Sequence, residues 1–215
     1  KSTEDVWTAQ FQQAGLRPYP KPLVNMFSGV INSGCGRANA AVGPFYCPAD
    51  KQVYIDPAFF EDLKRRHNAD GDFAQAYVIA HEVAHHVQSL LPADPRSGMS
   101  FSDIVQRVRA QSGEGAESNA ASVRLELQAD FLAGVWAHHA HKEYNLLEPG
   151  DIEEGINAAN QIGDDTLMRQ AGVTVRPDRF THGTSEQRVR WFTAGLKSGK
   201  MADCRALFEL DYEEL

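Results

Sequence analysis

His81-Glu82-Val83-Ala84-His85 constrains this chain more than any other stretch, because it has the form His-Glu-x-x-His inside a segment whose apolar residues recur at helical spacing. In a helix, residues four apart share a face, so both imidazoles project the same way and can reach one divalent cation. Glu82, one residue along from His81, turns toward the side where such a cation would hold a water. Further on, Glu126-Leu127-Gln128-Ala129-Asp130 repeats the spacing with two carboxylates. A metal site that performs chemistry takes three protein ligands and leaves the fourth position open. His81, His85 and Glu126 supply that set, and Zn²⁺ is the ion the set suits. Asp130 stands where it can accept the outward ring N–H of a ligating histidine. The plain alternative puts both acids on a solvated helix face; the upstream motif outweighs it.

Two helices can share an ion only if their axes approach within roughly 8–10 Å. The positions around the second motif are small: Ser122, Ala129, Ala133, Gly134 and Ala137, matched by Ala80 and Ala84 beside the histidines. Alanine also simply favours helices, so this corroborates without proving.

The chain has 215 residues, a formal charge of −8, 42% hydrophobic and 23% charged residues. That is ordinary globular composition, enough for one domain over 1–215: a small sheet with helices over about 1–70, then the site helices and a helical remainder over 71–215. The class expected is α+β, predominantly α. Negative charge and the lack of a Lys/Arg cluster argue against nucleic acid and anionic membrane surfaces. No apolar run reaches the eighteen or so residues of a membrane span. The first residue is Lys1 and not Met, so the expectation is a processed or trimmed chain with any signal peptide or anchor upstream.

Cys35 and Cys47 bracket a Gly/Pro-punctuated stretch that can fold back on itself. A disulfide there would imply an oxidising compartment; two reduced structural cysteines are the equal alternative. A zinc site on this pair lacks its other ligands, and Cys204 has no obvious partner.

Along the chain, spacing predicts a helix over Thr3–Ala14 with Val6, Trp7, Phe11 and Ala14 inward, stopped by Gly15. Strands follow over Leu23–Ile31 and Gln52–Asp56, and Pro57 opens a helix through Arg66. The Gln52–Asp56 strand is read as an open edge for an extended peptide, with Tyr46 and Tyr54 either at the cleft or, as aromatics in such places more often are, in the core. The motif helix starts at Asp70-Gly71-Asp72 and runs to Leu90/Leu91 before Pro92. Pro92 to Gly98 is a loop; helices are read over Ser102–Gln111 and Asn119–Lys142. His86 points away from His85 and is structural. His138, His139 and His141 sit at a helix C-terminus, where the dipole accounts for them. Asp151 and Glu154 read as a capping box, and Asp164-Asp165 as a helix cap, not a calcium loop.

Phe180-Thr181-His182-Gly183-Thr184-Ser185-Glu186-Gln187-Arg188 closes the argument. Thr184 and Gln187 form a capping box, with Val189, Phe192 and Leu196 on the buried face. His182, just ahead of that helix, can donate to an oxyanion, or else serve only its turn. Arg188 can assist or pair with an acid near the site.

Taken in order, Gly43-Pro44-Phe45-Tyr46-Cys47-Pro48, Val78 to Gln88, Leu125 to Asp130 and Thr181 to Arg188 make the chain resemble the bacterial family described as "putative neutral zinc metallopeptidase". The order is similar also to the wider gluzincins, where Glu-x-x-x-Asp follows His-Glu-x-x-His and membrane-linked members add a downstream His near an Arg. The resemblance implies a zincin-like fold and a Zn²⁺-dependent peptidase. It implies His81, His85 and Glu126 as ligands, Glu82 as the catalytic carboxylate acting on a zinc-bound water, Asp130 behind a ligand, and His182 as a second catalytic group. It also implies a peptide or protein substrate. An N-terminal anchor with the catalytic part outside the cytoplasm is common in the family, in keeping with Cys35 and Cys47. Two rivals stand beside this: a zinc-binding scaffold without catalysis, against which Glu82 argues, and a metal-dependent hydrolase of a non-peptide envelope amide.

Overall fold

A computed structural model of the chain describes residues 1–39, 42–67, 71–93, 96–161 and 163–215. Asp70, ahead of the motif helix, and the Asp94-Pro95 step of the following loop lie outside the described residues. Helix α1 spans Ser2–Gln13 and buries Val6, Trp7 and Phe11. Gln10 completes that face; Ala14 is exposed, because Gly15 at φ +65° turns the chain off the helix.

The single strand that spacing predicts over 23–31 is divided. Strands β1 (Val24–Met26) and β2 (Val30–Ser33) enter different sheets. Gly29, at φ +80°, makes the turn between them, and its N–H is held by the buried Asp56 carboxylate. Strand β3 (Gly36–Asn39) pairs antiparallel with β2 as a hairpin. Strands β4 (Phe45–Cys47) and β5 (Gln52–Ile55) complete a three-stranded sheet of order β1-β5-β4, with β1 parallel and β4 antiparallel to β5. The Gln52 strand is therefore the centre of its sheet, paired on both sides, and offers no open edge. A disulfide between Cys35 and Cys47 ties the hairpin turn to β4.

The rest is helical, as the periodicity predicts. Helix α2 covers Ala58–His67, its first N–H accepted by Asp56. Helix α3 covers Asp72–Gln88, two residues short of the predicted end, since Ser89 bonds back to the His86 carbonyl and closes the last turn. Helix α4 (Phe101–Ser112) starts with a Ser100–Asp103 capping box. Helix α5 runs from Ala116 to Tyr144, and α6 from Asp151 to Gln161. The Asp151 carboxylate accepts the Glu148 N–H, and the two N–H groups of the predicted Asp151–Glu154 box go instead to the Glu148 and Gly150 carbonyls. Helices α7 (Asp164–Gln170) and α8 (Ser185–Ser198) follow, then a 3-10 segment over Met201–Phe208. The Thr184–Gln187 box opens α8 as predicted. Among the described residues no helix is long and apolar enough to cross a membrane.

Helix α5 is the axis of the helical part, touched by α1, α3, α4 and α8. Ala80 and Ala84 on α3, and Ala129, Ala133 and Ala137 on α5, are all fully buried, so small side chains let these axes close. Gly134 serves a different neighbour. A Cβ at Gly134 would overlap the Phe192 carbonyl of α8, and one at Gly195 would overlap the Phe131 carbonyl of α5. The two backbones touch there with no room for a methyl group. Gly195→Ala is expected to destabilise the fold by about 3 kcal/mol through overpacking, lowering Tm by roughly 6–12 °C in a chain of this size. Thermal denaturation of purified protein checks it; an unchanged Tm would mean that the helices can slide apart freely.

Candidate metal centre

The centre is built where α3 and α5 run side by side. His81 Nε2 lies 3.1 Å from Glu126 Oε2, and His85 Nε2 lies 3.4 Å from Glu126 Oε1. The ligand atoms of these three residues all fall within 4.8 Å of one another, compact enough for one ion to bind all three. The opposite ring nitrogens are engaged elsewhere. His81 Nδ1 is 2.8 Å from Asp130 Oδ1, and His85 Nδ1 is 2.8 Å from Gln88 Oε1. A carboxylate and an amide oxygen only accept, so both Nδ1 atoms carry the hydrogen and both Nε2 atoms face Glu126. Two imidazole nitrogens and one carboxylate, with the outward N–H groups anchored, fit a zinc ion.

Asp130 is fully buried and heavily partnered. Arg188 grips it with Nε to Oδ2 at 2.9 Å and Nη2 to Oδ1 at 3.0 Å, and the Tyr77 hydroxyl donates to Oδ1 at 2.5 Å. Burial alone would raise the Asp130 pKa, but the charges and hydrogen bonds of Arg188 and His81 together outweigh it and hold the group down at about 2. For His81, burial works against the charged form, yet the Asp130 carboxylate prevails and raises it to about 10. His85 is raised as well: burial opposes the charge and Glu126 wins. Glu126 sits well below the usual carboxylate range despite burial, because His85 and His81 favour its anion. In the metal-free protein the Nε2 protons thus stand where a divalent cation would go.

Glu82 is buried beside the histidines, and the Tyr46 N–H donates to its carboxylate. Burial raises its pKa, only partly offset by the charges of His85 and His81. Such a carboxylate accepts a proton more readily than an exposed one.

His182 reaches the same cleft from the loop before α8, its side chain half exposed. Its Nδ1 lies 3.1 Å from Asp164 Oδ1. Asp164 Oδ2 accepts the backbone N–H groups of Thr181, His182 and Gly183 at 2.7, 2.7 and 3.2 Å. Asp165 Oδ1 takes the Ser185 N–H at 2.8 Å. The acid pair therefore fastens the 181–185 turn, while the N-cap of its own helix is Gly163 without a side-chain cap. Gly183, at φ +89° and wedged against Leu127 and Gln187, lets the turn lie this close. The Asp164 hydrogen bond raises the His182 pKa over the opposing effect of burial, with Glu126 adding to it.

The cleft holds about 830 Å³. Val42, Phe59, Leu63, Val78 and Leu167 give it an apolar wall beside His81, Glu82, His85 and Glu126. Tyr46 lines it, as the sequence predicts, though its hydroxyl is bound to His86 Nδ1 and Ser89. Tyr54 does not: it is buried, stacks on Phe45 and donates to Asp50. His86 is structural, its Nε2 bonded to the Pro20 carbonyl. His138 and His139 bond the carbonyls of Leu196 and Gly199, away from the cleft.

Sequence reasoning missed Tyr77, Gln88 and Asp164. Tyr77 precedes His81 by four and Gln88 follows His85 by three, so helical spacing held both signals. Asp164 reaches His182 across 18 residues of loop and helix, and no local pattern marks it.

The uncharacterized protein YpfJ of Escherichia coli is 50% identical over 203 residues, covering 94% of this chain and 67% of its own. An uncharacterized protein of Mycobacterium tuberculosis is 40% identical over 200 residues, covering 88% of this chain and 63% of its own. The chain thus spans about two-thirds of the length of these relatives. No solved structure matches it. A family model matches residues 1–207, and on that match the chain belongs to the family described as "putative neutral zinc metallopeptidase".

Proposed function

We propose that this chain is a zinc-dependent peptidase of zincin-like architecture, working as one domain over 1–215 on peptide or protein substrates. One observation carries the reading: two Nε2 atoms converge on the Glu126 carboxylate, with Glu82 buried alongside in an open cleft. His81, His85 and Glu126 would hold Zn²⁺. When bound, zinc supplies Lewis acidity, polarising the scissile carbonyl and easing deprotonation of water near neutral pH. Glu82 takes a proton from the attacking water as the water oxygen forms the new C–O bond, and gives that proton to the departing amine as the C–N bond breaks. Its raised pKa suits both transfers. His182, with Nδ1 committed to Asp164, presents Nε2–H to the carbonyl oxygen as that oxygen gains charge. The apolar wall supports a peptide side chain as occupant, and a purely structural zinc site has no use for a buried carboxylate such as Glu82. The Cys35–Cys47 disulfide supports a place outside the cytoplasm, in the bacterial periplasm or at the cell surface.

Glu82→Gln should keep full zinc content while peptide cleavage falls on the order of 10²–10⁴-fold. Elemental analysis beside a fluorogenic peptide assay checks it, and a variant as active as the parent would sink the reading. Asp164→Asn should lower kcat by about 10–100-fold with KM and zinc content little changed, since the charge behind His182 is lost. Zinc uptake must displace the protons that raised pKa values keep on His81 and His85. Binding at about pH 7 should therefore release protons, and affinity should climb as pH rises from about 6 to about 9. Calorimetry in buffers of different protonation enthalpy measures this; an affinity flat across that range contradicts the ligand set.

A further inference from the structure

Behind His85 lies a second buried polar chain that the reaction does not use. Gln88 and Gln128 are both fully buried, on α3 and α5. Gln88 Nε2 is 2.6 Å from the Leu125 carbonyl and 3.0 Å from Gln128 Oε1. Gln128 Nε2 is 3.0 Å from the Cys204 carbonyl in the Met201–Phe208 segment. A side-chain amide can be turned either way round, so its direction has to come from its partners.

Here the partners dictate it. The Leu125 and Cys204 carbonyls only accept, so the nitrogen of each amide faces a carbonyl. With its nitrogen on Cys204, Gln128 turns its oxygen toward Gln88. With its nitrogen on Leu125 and on that oxygen, Gln88 turns its own oxygen toward His85, 2.8 Å from Nδ1. That oxygen requires a hydrogen on Nδ1, which leaves Nε2 as the atom with a lone pair for a cation. Reversing either amide would set nitrogen against nitrogen or oxygen against oxygen in a site without water access.

We infer that Gln88, polarised by Gln128 and the Leu125 and Cys204 carbonyls, is the positioning residue that fixes the ring face and tautomer of His85. The inference rests on the proposed zinc site. It gives Gln88 a second task, because Leu125 immediately precedes Glu126. One buried amide thus links a histidine on α3 to the backbone beside the carboxylate on α5, and spaces the two for the same ion. Through Cys204, the segment after α8 has a hold on the centre although it contributes nothing to the cleft.

The test uses the full chain and Zn²⁺ itself. Competition with a chromophoric chelator should show Gln88→Met binding zinc 10–100-fold more weakly than the parent, the usual loss when a partner behind a ligand is removed. Gln128→Met should lose less than tenfold, since Leu125 still orients Gln88. In the zinc-loaded parent, ¹⁵N NMR of the histidine side chains should show His85 protonated at Nδ1 and metal-shifted at Nε2. Zinc affinity of Gln88→Met within twofold of the parent, at unchanged far-UV circular dichroism, would overturn the inference and leave Gln88 a helix-to-helix strut. So would coordination of His85 through Nδ1. The NMR measurement needs no variant, so it decides the matter should Gln88→Met fail to fold. Zinc binding absent from the parent itself is a separate result, which defeats the site reading and this inference with it.

Discussion

The buried pair of Arg188 and Asp130 is the interaction on which the centre depends. Two opposite charges removed from water are stable only with close geometry and every remaining hydrogen-bonding position filled. Here the contact is two-pronged, Tyr77 supplies a further donor, and His81 another. The pair joins α8 to α5, and through His81 and Tyr77 it joins both to α3. The glycine contact lies close by on the same two helices. Arg188 and Gly195 are two turns apart on one side of α8, and Asp130 and Gly134 are one turn apart on α5. Gly134 and Gly195 bring the two backbones into touch beside the pair, and Arg188 meets Asp130 while still lining the cleft. Backbone contact and buried ion pair thus join α5 and α8 at neighbouring turns.

That arrangement also balances the site. Arg188 and Asp130 neutralise one another, so His81 experiences a partnered carboxylate and not a bare one. Glu126 is left as the cleft's own anion, shared by two imidazoles, and Glu82 is the group whose burial is least compensated. Without an ion, the raised pKa values of the histidines keep the cavity from holding uncancelled negative charge. The three ligand atoms already lie within 4.8 Å of one another, so a cation held there as proposed would take the place of those protons.

Much of this was legible in the sequence, and the reason is periodicity. His81 and His85, and Glu126 and Asp130, declare their shared faces through the helical repeat, and Thr184 with Gln187 declares a helix start. What escaped was decided by contacts distant in sequence. Gly29 ends β1 because Asp56 holds its N–H from beyond β5, so the apolar run over 23–31 carries no sign of the break. The Gln52 strand looks like any alternating strand; only the arrival of β1 and β4 on its two sides makes it central. Asp164 and Asp165 resemble helix caps since caps are what acids at a helix start usually are. Their carboxylates instead close a turn that lies far along the chain. Ala14 fits the inward spacing, yet it falls where Gly15 has already ended the helix.

The two halves of the centre are secured in different ways, and this divides the work between them. His81 and His85 are anchored by buried partners on long helices, within the same core that stabilises the fold, so loss of their geometry would require the core to move. His182 is anchored by one carboxylate on the seven-residue α7 and by the 181–183 backbone, half open to solvent. That turn still meets the core through the buried Gly183, which lies against Leu127 and Val123. On the proposed reading, the cation's seat is thus anchored by buried side chains of α3 and α5, and His182 by a half-exposed turn. A substrate lying against the apolar wall adds contacts from Leu167 on α7, the same short helix that carries Asp164. On the proposed reading, a peptide side chain against Leu167 would brace the helix whose Asp164 holds His182.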